Sequence, residues 1–313
     1  MKSSILATLS YSDIFDYPLT EEEIWQWLIS EDGRHLPAGK AGRTEDGKQK
    51  TEDRKAFAHS LQLVLDSHLI SVKEGFYCLK GREEIFPIRK QRDFWSKPKI
   101  RRAEKVAVIL RLIPWIKLIG ITGGLARNNV DEEDDIDLFF IAAQNRLWLT
   151  RGIVVLILSF LGLYRRPNKF KDMICPNMFV AESSLKMEPE DIFTAHEVCL
   201  LKPIFVRGDI YQKFLIENRW VEKFLPNVLK DIKQLSDLAI EKGKKENFLN
   251  YLITQLLNIL EVFARKLQLW YMRKKRTTEL VSDNLIKFHP QDARNWVLEE
   301  YQKRLKIYGL DNL

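Results

Sequence analysis

The segment from residue 116 to residue 141 constrains the fold of this chain more than any other. Residues 116–121 form a short apolar run rich in β-branched residues, which predicts a buried strand. Gly123 and Gly124 follow at once, and paired glycines allow a tight turn and a close approach of a ligand to the backbone. Residues 136–141 are a second apolar run. The segment therefore predicts two buried strands connected by a glycine turn, a short helix and an acidic loop.

Two carboxylates are expected at the start of the second strand. Side chains alternate between the faces of a strand, so Asp135 and Asp137 point the same way. Burying neighbouring carboxylates is unfavourable unless a cation lies between them, and Mg²⁺ bound by carboxylates and substrate phosphates meets that need. The free N–H groups of a helix that begins after Gly124 suit a phosphate. A solvated acidic loop is the alternative interpretation, which the glycine turn and the two flanking strands disfavour.

This pattern resembles the signature of the DNA polymerase β-like nucleotidyltransferase superfamily, in which an apolar strand and Gly-Ser or Gly-Gly precede Asp-x-Asp on the next strand. Residues 122–127 and 135–137 carry the resemblance. It implies an α+β nucleotidyltransferase core with a mixed β-sheet. It further implies metal binding by Asp135 and Asp137, and triphosphate binding by Gly123 and Gly124.

The chain departs from the signature at two positions. Gly124 stands where the superfamily usually has serine, so a hydroxyl that could contact phosphate is missing. The superfamily also has a third carboxylate on a later strand, often as the catalytic base. Residues 176–182 predict such a strand, on which Glu182 and Asn177 lie on opposite faces. Glu182 is the candidate base, and Asn177 is a candidate to line the pocket without acting as one.

The leading hypothesis is a transferase that depends on magnesium, with manganese as a possible substitute. It would move a nucleoside monophosphate from an NTP such as ATP to an unidentified hydroxyl or phosphate acceptor. Asp135, Asp137 and Glu182 are the candidate catalytic residues, and Arg127 and Asn128 are candidates to assist nucleotide binding. The alternative hypothesis is a catalytically inactive member of the fold that acts as a regulatory module and binds DNA or protein.

Residues 1–81 predict a winged-helix-like domain of three helices followed by a hairpin. Thr20 and Glu23 form a capping box that opens the second helix. Residues 31–54 are polar and predict a flexible insertion before the third helix. That helix carries little positive charge, whereas phosphate contacts call for Lys or Arg. A protein-interaction role is therefore favoured over binding of nucleic acid.

Residues 82–190 are assigned to the nucleotidyltransferase core, and residues 191–313 to a helical domain that completes the cleft. His196 lies in a predicted helix, and a core position is favoured over a role as general base. The longest apolar run, residues 152–164, is shorter than the roughly 20 residues that a membrane-spanning helix needs. It predicts a buried core helix, with a membrane-surface helix as the alternative, and no stable membrane span is expected.

Composition limits the class of protein. Hydrophobic residues make up 45% of the 313 residues and charged residues 30%, which is ordinary for a folded globular chain. The net charge of +7 favours anionic partners without choosing among them. The three cysteines are far apart and suggest neither a disulfide framework nor a zinc site. With no evident signal peptide at the start, a cytoplasmic location is expected.

Overall fold

The computed structural model describes residues 1–30, 46–228, 248–273, 280–282, 284–287 and 292–310. Its first part contains three helices and three short strands, which are α1 (Lys2–Asp13), β1 (Leu19–Thr20), α2 (Glu21–Gln26), α3 (Asp46–Asp66), β2 (Ile70–Lys73) and β3 (Phe76–Leu79). The strands form an antiparallel sheet in the order β1-β3-β2. The three helices and the following hairpin thus occur in the predicted order.

The start of α2 shows how local sequence sets an element boundary. The Thr20 hydroxyl accepts a hydrogen bond from the Glu23 amide at 3.2 Å, and the Glu23 carboxylate accepts one from the Thr20 amide at 2.9 Å. This confirms the predicted capping box. Residues 31–45 of the predicted insertion lie outside the described residues. Residues 46–54 belong to α3, which begins at Asp46, so the prediction of a flexible insertion is wrong for that part.

The rest of the chain surrounds one large sheet. Its helices and strands follow as α4 (Ile85–Leu110), β4 (Ile116–Ile121), α5 (Gly123–Ala126), β5 (Ile136–Ala142), α6 (Leu147–Phe160), β6 (Ile174–Ala181), α7 (Ile192–Leu200), β7 (Lys202–Val206), α8 (Ile210–Glu217), α9 (Phe248–Met272), β8 (Leu280–Val281), β9 (Leu285–Lys287) and α10 (Asp292–Ile307). The six strands are ordered β7-β4-β5-β6-β9-β8. Strands β5 and β6 are parallel and the other neighbours are antiparallel. The chain therefore combines helices with a mixed sheet, as the sequence predicts.

The prediction of a helical domain from residue 191 onward is wrong. Strand β7 pairs with β4, β9 pairs with β6, and β8 pairs with β9. The last part of the chain thus completes the same sheet that begins with β4. These strands are short, and β7 is only partly buried, so none has the long apolar run that marks a central strand. A boundary at residue 190 would cut through this sheet.

Apolar layers cover both faces of the large sheet. One layer consists of α4, α6 and α9 against Ile119, Leu138 and Phe140. The other consists of α1, α7, α8 and α10 against Phe139 and Ile141. Because neighbouring residues of a strand point to opposite faces, Asp137 lies on the face of Phe139 and Ile141. The candidate site therefore faces α7 and the helices that join the two ends of the chain.

Helix α6 corresponds to the apolar run that predicts a buried core helix. Trp148, Val154 and Leu158 are buried, but Leu156 and Phe160 are 69% and 92% exposed. The helix is therefore buried along one side only. No helix in the described part of the chain is both long enough and apolar enough to span a bilayer.

Candidate functional site

Two acidic side chains and a cysteine converge at the start of β5. Asp137 pairs with Cys175 of β6 across the parallel register, and Asp135 precedes the strand. One oxygen or sulfur atom from each of Asp135, Asp137 and Cys175 lies within 4.8 Å of the others. The predicted convergence of the two carboxylates therefore exists in the structure, with a thiol added to it.

A buried lysine holds the loop that leads to this cluster. Lys99 of α4 is 2% exposed, and its ammonium group donates to the carbonyls of Glu132 and Asp134 at 2.9 and 2.7 Å. It also donates to the Asp172 carboxylate at 2.7 Å. A buried ammonium group requires such compensation, so these contacts fix the loop. Asp135 therefore follows a loop whose backbone is tied to α4, while the side chains of residues 131–134 stay exposed.

The glycine turn lies directly against Asp137. Gly123 has φ +64°, in the left-handed region that favours glycine, and a Cβ there would lie 3.3 Å from Oδ2 of Asp137. The Thr122 amide donates to the Asp137 carbonyl at 3.2 Å. At Gly124 a Cβ would lie 2.6 Å from the Asn129 carbonyl oxygen. The nucleotidyltransferase signature that this segment resembles usually has serine at this position. A serine side chain does not fit at position 124 without a shift of this turn.

The carboxylates are held in an environment that disfavours their ionised forms. Burial, followed by the nearby charge of Asp135, raises the pKa of Asp137 to about 7. Burial also raises the pKa of Asp135, although Arg165 opposes that rise, with its Nε 2.5 Å from Oδ2 of Asp135. Asp137 therefore takes up a proton near neutral pH, and a divalent cation could replace that proton.

The donor set fits magnesium through the carboxylates but not through the sulfur. Carboxylate oxygens are hard ligands of the kind that Mg²⁺ and Mn²⁺ prefer, whereas thiolate suits softer metals. The Cys175 thiol hydrogen-bonds to the Asp137 carboxylate, and burial raises the pKa of this thiol. Cys175 therefore acts as a hydrogen-bond donor to Asp137 in this structure. Asp135 and Asp137 are the residues that would hold a magnesium or manganese ion.

Glu182 lies at the other end of the sheet, so the structure separates this candidate base from the acidic pair. It follows β6, where its amide bonds to the Ala142 carbonyl at the end of β5. Its carboxylate accepts from the Gln144 amide at 3.0 Å and lies 3.7 Å from the ammonium group of Lys117. A strand rises roughly 3.3 Å per residue, so the length of β6 lies between Glu182 and Cys175. Glu182 therefore cannot share a ligand with Asp137.

Asn177, the alternative, lies closer to the pair. The register pairs Leu138 with Pro176 and Phe139 with Met178, so Asn177 is the extra residue of a β-bulge. Its Oδ1 is buried and has no hydrogen-bond partner among the described residues. An amide cannot act as a general base near neutral pH. Among the described residues of β6, Cys175 is the one that joins the carboxylate pair.

Arg127 and Asn128 lie at the far end of α5 from Asp137. The Arg127 guanidinium is 4.6 Å from the Phe15 ring centre. The backbone carbonyl of Arg127 accepts a hydrogen bond from the Tyr17 hydroxyl at 2.6 Å. Asn128 follows with φ +58°. Arg127 contacts the segment between α1 and α2, and Asn128 lines the same cavity as Arg127, so the structure does not support their expected part in nucleotide binding beside Asp137.

Glu197 of α7 is a carboxylate that the sequence did not single out. Burial and Asp135 are the main causes of the raised pKa of Asp137, and the charge of Glu197 adds to them. Glu197 also partly offsets the burial that lowers the pKa of Lys287. In the sequence, Glu197 is adjacent to His196, the residue of this helix considered as a general base. Helical spacing turns consecutive residues to different sides, and the period alone does not say which side meets the sheet.

Lys287 of β9 is a cation on the face of the acidic pair. It pairs with Met178 of β6, which pairs with Phe139 of β5, and directly opposed residues project to the same face. Asp137 lies on that face too. Strand β9 is three residues long, so no periodic pattern marks Lys287 in the sequence. Lys287 thus places an amino group on the same face of the sheet as Asp137, two strands away.

His196 is part of the core, in agreement with the favoured interpretation. Its ring stacks on Tyr11 with centroids 3.9 Å apart, and its Nδ1 bonds to the Ile192 carbonyl at 2.9 Å. Burial, and secondarily the charge of Arg127, lowers the pKa of His196 to about 3. The imidazole is therefore neutral at physiological pH.

In comparisons with known proteins, the chain matches no protein-family model, no curated protein and no solved structure.

Proposed function

We propose that this chain is a nucleotidyltransferase that moves a nucleoside monophosphate from an NTP to a hydroxyl or phosphate acceptor, with magnesium or manganese as cofactor. The observation that carries the proposal is the approach of the Asp135 and Asp137 carboxylates beside the Gly123 turn. An exposed glycine turn beside a carboxylate pair that favours a cation provides a place for the triphosphate and for the metal, and nucleotidyl transfer uses both.

Each residue has a distinct part in this proposal. Asp135 and Asp137 hold the divalent ion, which when bound neutralises charge on the triphosphate and on the departing pyrophosphate. Gly123 and the exposed Gly124 offer a backbone that no side chain shields. Lys287 contributes positive charge for the phosphates. Glu197 is the candidate to accept a proton from the acceptor, since it lies on α7 close enough for its charge to act on Asp137.

A regulatory module without activity is the second candidate, and two observations favour it. Cys175, not a carboxylate, lies opposite Asp137, and Arg165 already forms an ion pair with Asp135. In that case Arg165 would take the place of the cation. The first part of the chain, with its winged-helix-like order of elements, would then bind protein or nucleic acid. Helix α3 carries four basic residues before residue 56 and none after it, so its charge does not choose between these two kinds of partner.

A transfer assay separates the two candidates. Wild-type protein is incubated with each of the four NTPs labelled at the α-phosphate, with magnesium or manganese and cell extract as the source of acceptor. We expect a labelled product from the wild type and none from Asp135→Asn or Asp137→Asn, because each substitution removes one of the two anionic oxygen ligands. The loss should be at least about 100-fold.

Glu182→Gln is the matched control, because it alters a carboxylate of the same sheet at the end remote from the pair. It should keep the activity of the wild type. Metal binding is measured in parallel by titrating manganese and following its electron paramagnetic resonance signal. If wild-type protein neither binds manganese nor transfers label from any NTP, the regulatory function replaces the transferase.

A further inference from the structure

A cavity of about 210 Å³ lies between the N-terminal helices and the core, separate from the acidic pair. Helices α1 and α2 form one side, and the end of α5 together with α7 forms the other. The lining includes Tyr11, Tyr17, Trp27, Arg127, Asn128 and His196. Its volume corresponds to roughly seven waters, which is enough for one or two fused rings and too small for a dinucleotide.

The walls of this cavity are largely aromatic. The His196 ring stacks on Tyr11 and lies nearly parallel to Trp27, with centroids 5.6 Å apart and an interplanar angle of 18°. Tyr17 covers another side, held by the guanidinium of Arg89 over its ring at 3.7 Å. Tyr11 and Trp27 already flank the His196 ring, so a planar ligand would pack against the edges and outer faces of this aromatic group.

The charge of the cavity is positive. Arg127 forms no ion pair within the described part of the chain, and its charge lowers the pKa of His196 after the larger effect of burial. Glu23, the acidic residue of the lining, is already paired with Arg89 at 2.7 Å. His196 is neutral, as shown above. One guanidinium without a balancing carboxylate therefore favours an anionic ligand.

Two acceptor atoms add hydrogen-bonding capacity. Oδ1 of Asn128 is buried and has no hydrogen-bond partner among the described residues. A carbonyl can only accept, so Nδ1 of His196 donates to Ile192 and its Nε2 is left as an acceptor. Buried polar atoms are normally satisfied, and an unsatisfied one beside a cavity indicates a missing partner.

We propose that this cavity binds a small planar aromatic ring that carries an anionic group and at least one N–H or O–H donor. The Arg127 guanidinium receives the anionic group, and the ring lies among Tyr11, Trp27 and His196. The same chemistry occurs in aromatic carboxylates and in mononucleotides. The cavity lies between the N-terminal helices and the core, so the ligand would also stabilise the contact between these helices and α5.

Binding is tested by isothermal titration calorimetry and ligand-observed NMR with full-length protein in the presence of EDTA, which keeps nucleotides from binding through a metal. The probes are indole-3-carboxylate and orotate, their neutral amides, and AMP and UMP. We expect the anionic probes to bind and the amides to bind at least about tenfold more weakly. Whether the carboxylates or the mononucleotides bind more tightly identifies the source of the ligand.

Variants distinguish this cavity from the acidic pair. Arg127→Gln should weaken binding of the anionic probes about tenfold or more, and Asn128→Asp should do the same by adding a negative charge at a position where Asp tolerates φ +58°. Asp137→Asn should bind the probes as the wild type does. Circular dichroism melting checks the fold of each variant. Equal affinity for acids and amides, unchanged affinity in the folded Asn128→Asp protein, or no binding of any probe would overturn the proposal.

Discussion

At the scale of single residues, the most informative group is the carboxyl of Asp137. The residue as a whole is partly exposed, but its carboxyl group is surrounded by protein. Burial of the carboxyl, and then the charge of Asp135, raises its pKa to about 7. An acid held this way is costly to ionise, and structures retain such groups mainly where they bind something. Cys175 and Arg165 reduce that cost only in part, through one hydrogen bond and one nearby cation.

The pH dependence of stability follows from this group. A raised pKa means that the folded state holds the proton up to about pH 7, whereas the unfolded state loses it near its ordinary value of 3.8. The metal-free protein should therefore lose stability as the pH rises from 5 to 8, and this carboxyl should account for about 2–3 kcal/mol of the loss. Urea denaturation in EDTA measures the free energy of unfolding at each pH.

Asp137→Asn removes the ionisable group while it keeps the shape of the side chain. The variant should be more stable than the wild type at pH 8, and the difference should shrink toward pH 5. Glu182→Gln should follow the wild type at both values. If the stability of the wild type changed with pH in the same way as that of Asp137→Asn, Asp137 would not be protonated in the folded state.

At the scale of elements, the turn between β4 and α5 is set by what its glycines allow. The backbone of Gly123 adopts a left-handed conformation against the Asp137 carboxylate, and Gly124 leaves no room for a side chain before the Asn129 carbonyl. The Asn129 amide also bonds back to the Gly124 carbonyl at 2.8 Å. The turn is therefore closed by backbone contacts, which cannot move aside as a flexible side chain can.

Gly124→Ala tests this packing. The new Cβ would lie 2.6 Å from the Asn129 carbonyl oxygen, so the turn must shift, and the variant should lose about 1–3 kcal/mol of stability. Gly152→Ala is the matched control, since its nearest neighbour is the end of the Gln268 side chain at 3.1 Å. Alanine gains helix propensity there, whereas the Gln268 amide, hydrogen-bonded to the Trp148 carbonyl and to Arg151, must shift slightly, so the net loss should be smaller than at Gly124. Equal thermal melting of the two variants would contradict the tight contact at Gly124.

At the scale of the whole molecule, the two ends of the chain are joined around Asp13. This carboxylate is 6% exposed and accepts hydrogen bonds from Nε of Arg82 at 2.7 Å and from Nε of Arg304 at 2.8 Å. Arg304 belongs to α10, whose Tyr301 and Leu305 pack in the same apolar layer as α1 and α7. The N-terminal helices, the core and the last helix therefore form one packed unit around the candidate site and the aromatic cavity.

Arg304→Gln should weaken this junction, because Asp13 would then keep only one of its two charged partners in a buried position. We expect a loss of about 1–3 kcal/mol in the free energy of unfolding. Lys303→Gln, at the neighbouring position with a side chain 68% exposed, should change stability by less than about 0.5 kcal/mol. Equal stability of both variants in urea would mean that Arg82 alone compensates Asp13.

Local sequence determined the elements whose causes are local. The capping box of α2, the buried strands β4 and β5, the glycine turn and the shared face of Asp135 and Asp137 all follow from short-range spacing, and the structure contains each of them. Only the tertiary structure decided which distant residues join the site. The β-bulge at Asn177, the pairing of β7 and β9 with the core strands, and the burial of Lys99 depend on contacts between residues far apart in sequence. A periodic pattern records which side of an element is apolar, but not which element covers it, so Cys175, Glu197 and Lys287 could not be assigned to the site before the sheet was assembled.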